Sequence, residues 1–147
     1  MSAKSFRVWA VVCAVLAAAV VSAEAQAGAQ AALGSVRVPQ AVTANGQPLP
    51  AGTYTLRLSA DAVAPVVGQT PTASKWVEFV QGSQVKGKEL ATVATPAEVK
   101  QIAKMAPPAA GTAKVQTLKG EDYIRVWINH GGTHYLVHLA VAAPAKR

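Results

Sequence analysis

Cysteine is almost missing from these 147 residues, and the single one, Cys13, sits inside the longest apolar run with no partner. That excludes a disulfide framework, a thiolate metal site and a cysteine nucleophile in whatever folds after that run. Acidic residues are also scarce, seven against fourteen lysines and arginines. No facing carboxyl pair of the kind glycoside hydrolysis needs can be named, and the adjacent Glu121 and Asp122 diverge in an extended segment. Ser35, Ser59, Ser74 and Ser83 lie in no G-x-S-x-G elbow. No phosphate loop or dinucleotide fingerprint is present. The chain therefore reads as non-catalytic, and it names no cofactor.

Long hydrophobic runs are lacking except at the start. Lys4 and Arg7 precede an apolar stretch from Val8 to Val21, and Ala23-Glu24-Ala25 offers small residues for cleavage. Fourteen residues fall short of the roughly 20 a spanning helix needs. The pattern over 1–25 is that of a signal peptide. Cys13 lies in mid-run, without the small residues that precede a lipid-modified cysteine, so lipid attachment is not expected. The expectation is an exported protein, periplasmic or extracellular, starting at Gln26 and without a transmembrane anchor after cleavage. It would carry twelve cations against six acids, a net +6. The cations are scattered singly and offer no track for a phosphate backbone, so nucleic acid is not an expected partner.

What remains is β-rich. Residues 26–34 are small and featureless and read as a flexible leader, followed by one domain over 35–141 and a tail over 142–147. SVRVPQAVT from Ser35 to Thr43 reads as one strand, and Asn45-Gly46 as a tight turn, since both residues tolerate positive φ. Leu49 to Leu58 gives a turn at Pro50 and Gly52 and then an alternating strand with Tyr54, Leu56 and Leu58 on one side. From Ala60 to Ser74 the periodicity fails around Pro65, Gly68 and Pro71, leaving a long connection with a short edge strand expected at Val66-Val67. KWVEFVQ and QVKGKELATVA then flank Gly82-Ser83 as a hairpin, with Gly87 a candidate bulge and Trp76, Glu78 and Val80 read as core. Thr95-Pro96-Ala97-Glu98 has the spacing of a capping box, opening a short helix with Val99, Ile102 and Ala103 on one face and a stop at Pro107-Pro108. TAKVQTL is a further strand and Lys119-Gly120 a turn. About seven short strands and one helix predict an antiparallel β-sandwich, with a small β-barrel as the alternative.

Two segments, Leu49 to Leu56 (LPAGTYTL) and Asp122 to Leu139 (DYIRVWIN and THYLVHL), resemble strands of small secreted bacterial β-sandwich proteins. Transthyretin-like and carboxypeptidase-regulatory-like modules are more distant analogues. The resemblance implies a fold class and an exported setting, and it carries over no catalytic residue.

The C-terminal hairpin holds the candidate site. A turn centred on Gly131-Gly132 pairs His130 with Thr133, Asn129 with His134, Trp127 with Leu136 and Arg125 with His138. Ile124, Val126, Ile128, Tyr135, Val137 and Leu139 then form an apolar face. The opposite face carries Tyr123, Arg125, Trp127, Asn129, His134 and His138, aromatic surface beside hydrogen-bonding groups. Two arrangements suit that face. With Trp127 exposed it is a binding surface for an unknown envelope component, a carbohydrate or peptide by its chemistry. Otherwise Trp127 packs with Leu136 under the short helix or the 60–74 connection, and covered tryptophan is the commoner state. A structural or assembly role through sheet edges is a second function class. Metal-dependent activity at the histidines is a third, but His134 and His138 lie about 13 Å apart along a strand, too far to converge on one ion. No metal ligands are therefore named.

Overall fold

In the computed structural model, residues 30–143 are described apart from 65, 71, 103 and 104. The expected signal peptide, residues 26–29 of the leader, Ala103 of the expected helix face and residues 144–147 lie outside the described residues. The strands are β1 (Ala32–Val38), β2 (Val42–Ala44), β3 (Gln47–Leu49), β4 (Gly52–Leu58), β5 (Ser74–Gln81), β6 (Gln84–Ala94), β7 (Thr112–Thr117), β8 (Tyr123–His130) and β9 (Thr133–Val141). Among the described residues one helix, α1 (Pro96–Ile102), follows β6 in the connection to β7.

The fold is all-β and antiparallel with one short helix, as the alternation predicts. Its strands make one continuous sheet. Along it run β1, β4, β5, β6 and β9, and β9 then pairs with β8, which pairs with β7. The sheet curls until β1 lies beside β7, where a Cβ on Gly34 would stand 3.7 Å from the Gly111 carbonyl oxygen. The shape is thus close to the small barrel held as the alternative. Val36, Val38, Tyr54, Leu56, Val77 and Phe79 fill the interior from one side. The apolar face of the β8–β9 hairpin fills it from the other, with Ile124, Val126, Ile128, Tyr135, Val137 and Leu139 all buried. Each such side chain contributes roughly 1.5–3 kcal/mol on burial, which serves in place of disulfides.

Local details follow from the residues named. Asn45 and Gly46 take φ of 47° and 75°, and Gly131 and Gly132 60° and 85°, the left-handed pairs that two-residue hairpins require. Gly87 stands opposite Phe79, and the β5–β6 register slips immediately beside it, leaving Lys86 as the extra residue of the bulge. A side chain on Gly87 would meet Ala44 and Leu49 at 3.3 and 3.4 Å, so its absence lets the β2–β3 hairpin lie against β6. That hairpin is also tied down by the Glu89 carboxylate, which accepts the Asn45 backbone N–H. The LPAGTYTL segment has its own reason: the Tyr54 hydroxyl donates to the Pro50 carbonyl at 2.7 Å, closing the turn that feeds β4.

Four expectations need correction. The Ser35–Thr43 strand is two, β1 and β2, broken after Val38 because Pro39 cannot donate to a ladder. The strand begins at Ala32, inside the expected leader, because Leu33 is buried in the core. Val66 and Val67 form no strand; both are exposed and Val66 accepts a turn hydrogen bond from Gln69. Trp76 is on the outer face and half-buried, with the Lys88 ammonium 5.1 Å from its ring centroid. Beside it Arg57 pairs with Glu78 at 2.6 Å across β4 and β5, which accounts for a carboxylate that is almost covered.

Candidate functional site

The glycine turn sets β8 against β9 in the expected register, with Trp127 opposite Leu136, Asn129 opposite His134 and Arg125 opposite His138. These side chains face away from the interior. Above them lies α1, started by the expected capping box: the Thr95 N–H donates to Glu98 Oε2 at 2.7 Å and the Glu98 N–H donates to Thr95 Oγ1 at 3.3 Å. Those bonds to Thr95 hold the Glu98 carboxyl below its ordinary pKa. The cap aims Val99 down onto Trp127, Leu136 and Ala94, forming a second, smaller apolar cluster outside the barrel.

Trp127 is fully buried, which corrects the exposed arrangement on which stacking against a ligand depends. Its indole N–H donates to His134 Nδ1 at 3.0 Å, so His134 is the acceptor in a buried pair. Burial pushes the His134 pKa down, favouring the neutral ring that this bond requires. Asn129 is engaged at both ends of its amide. Nδ2 donates to the Pro108 carbonyl at 2.9 Å, and Oδ1 accepts the Gly132 N–H at 3.2 Å. Trp127, Asn129 and His134 thus spend their polar groups on packing the helix, the linker and the turn.

The other three candidates remain on the surface. Tyr123 is exposed, and Arg125 is half-buried and donates from Nε to His138 Nε2 at 3.1 Å. His138 is exposed overall, yet partial desolvation of its ring and then the Arg125 charge both lower its pKa. Arg125 makes no ion pair with a carboxylate among the described residues.

Arg125 also stands in a groove of about 400 Å³ at the C-terminal end of α1. Ile102 and Met105, each about half exposed, line it together with Leu118 and Trp127. Lys119 and Arg125 contribute cations, and Gln116 holds Met105 in place by donating to its sulfur at 3.1 Å. Sequence reasoning missed Ile102, Met105, Leu118 and Lys119 as site residues. The available signal was the Lys119-Gly120 turn, since counting back from it sets Gln116 opposite Arg125, as β7 and β8 do pair. A second hollow of about 370 Å³ lies at the other end of α1, among Thr72, Thr95, Glu98 and Thr133, but its carboxylate is already engaged by the cap.

Among the described residues no three His, Cys, Asp or Glu side chains converge as metal ligands would, and no helix is long and apolar enough to cross a membrane. No protein-family model, no curated protein and no solved structure matches this chain.

Proposed function

We propose that this chain is an exported, non-catalytic binding domain of the cell envelope that holds a small ligand in the groove at the end of α1. The observation that carries the reading is the groove itself: an apolar hollow of about 400 Å³ beside cations that no carboxylate neutralises among the described residues. That volume falls within the roughly 300–1,000 Å³ of small-molecule pockets, and a few placed polar groups in an apolar lining is their usual chemistry. The export half rests on the leader pattern over 1–25.

The test has two arms. Methyl-labelled Ile102 and Met105 are titrated with a panel of sugars, short peptides and amphiphiles. Shifts confined to groove residues are expected, and a panel that leaves both methyls unmoved removes the binding reading. Cell fractionation with N-terminal sequencing is expected to find the chain outside the cytoplasm beginning at Gln26. An intact leader on cytoplasmic protein would overturn the export half.

A further inference from the structure

Resting on that reading, we propose that the groove selects an anionic amphiphile, a medium-length apolar chain ending in a carboxylate, with the chain on Ile102, Met105 and Leu118 and the carboxylate on Arg125.

The lining divides by chemistry into apolar side chains and two cations. Ile102 and Met105 are exposed at 52% and 55%, and both line the same hollow, so their exposed apolar surface adjoins rather than lying scattered. Covering them removes apolar surface from water, but a purely apolar occupant would have to desolvate the cations beside them. Arg125 and Lys119 both line the hollow, and neither is within ion-pair distance of an acid among the described residues. Glu121 and Asp122 follow Lys119 in the same turn yet make no ion pair with it, and Glu98 is held by Thr95. Both cations of the lining are therefore left without an ion pair among the described residues.

Arg125 is also positioned for this work. His138 on the neighbouring strand accepts its Nε–H, which fixes the guanidinium while leaving its two amino groups to grip a carboxylate side by side. Lys119 adds a point charge on a flexible stem. A carbohydrate fits less well, because no exposed aromatic ring lines the hollow: Tyr123 is outside its lining and Trp127 is covered. A cationic amphiphile meets like charge. The small volume favours a single medium-length chain over a two-chain lipid.

Three probes of equal chain length separate the contributions: decanoate, decanol and decyltrimethylammonium, each titrated into the purified protein below its aggregation limit and followed at the Met105 methyl. Decanoate is expected to bind about ten- to a hundredfold tighter than decanol, the difference a hydrogen bond to a charged group makes. Decyltrimethylammonium is expected to bind weakest. Arg125→Gln should take away most of the advantage of decanoate over decanol, Lys119 retaining the rest, and leave decanol unchanged. Ile102→Asn, at an exposed position that leaves the core intact, should weaken all three. Decanoate binding no tighter than decanol, or unaffected by Arg125→Gln, overturns the anion assignment while the binding groove stands. No movement of the Met105 methyl with any probe overturns both. Amide spectra of each variant verify that the barrel is folded, so lost binding reports on the groove.

Discussion

Two neighbouring patches on the outer face of β8 have similar chemistry and different fates. Trp127, with His134 and Leu136, lies beneath α1 and is closed off. Arg125, with Tyr123 and His138, lies beyond the helix end and stays accessible. Both patches join an aromatic residue to a histidine and a hydrogen bond across the same strand pair. The roof makes the difference. A helix of seven residues would be marginal alone, so it persists here because the Thr95–Glu98 box caps it and Val99 anchors it. Binding character on a sheet face is thus decided by what covers each side chain as much as by residue type.

The division is broken most directly by truncating the aromatic residue on each side. Trp127→Ala should cost about 3–5 kcal/mol, since it empties a covered site under the helix. Tyr123→Ala should stay within about 0.5 kcal/mol, as exposed positions do. Urea unfolding of the two variants gives the contrast, and similar losses at both positions would show that the roof does not separate them.

The histidines offer a second contrast. His134→Ala leaves a buried indole N–H without its acceptor and should cost about 1–3 kcal/mol. The same residue sets a pH dependence. Its folded pKa is lowered while the unfolded value is about 6.5. Above that value both states are neutral and the contribution is complete. As pH falls below it the unfolded chain takes up the proton first, so stability declines until the folded ring also titrates. His138 is shifted in the same direction and adds the same sign. Unfolding measured from pH 8 to 5 should therefore lose stability toward acid, and His134→Gln should flatten part of that slope. A slope unchanged in the variant would assign the effect elsewhere.

Weakening the roof itself comes next. Thr95→Ala removes the hydroxyl partner of Glu98 and should cost about 1 kcal/mol. Faster hydrogen exchange at the Trp127 indole and in α1, without faster exchange in β8, would place the loss in the helix. Uniform acceleration would mean that α1 and the barrel open as one unit.

The two patches also differ in how far the sequence revealed them. The hairpin register was legible because a Gly-Gly turn and strict alternation leave one pairing, and a slip by one residue would turn Ile124, Val126 and Ile128 outward. The capping box was legible for the same local reason. That Trp127 and Leu136 would be covered was legible as the commoner state, and α1 is the one of the two expected covers that does it; which of the helix and the 60–74 connection would land there was not, because that depends on a sheet built from distant strands. The groove is less legible still, since Ile102, Leu118 and Arg125 come from a helix, a strand exit and another strand. Curling of the sheet to bring β1 beside β7 belongs with these non-local outcomes, as does Trp76, whose apolar neighbours hid that its strand face looks outward.

The smallest effect expected on stability tests the open patch most finely. Arg125→Gln removes a half-exposed hydrogen bond to His138 and should change unfolding by no more than about 0.5 kcal/mol. Yet it should move His138. The guanidinium is the second cause of that residue's lowered pKa, after desolvation, so its removal should let the pKa rise part of the way back while the desolvation remains. Titration of the His138 ring protons by NMR reads this directly, with His134 as an internal reference that should not shift. A rise at His138 with no loss of stability is the signature of a charge held at a surface for use. A stability loss as large as that of Thr95→Ala would instead make Arg125 part of the packing, and the two halves of β8 would then be one structural layer.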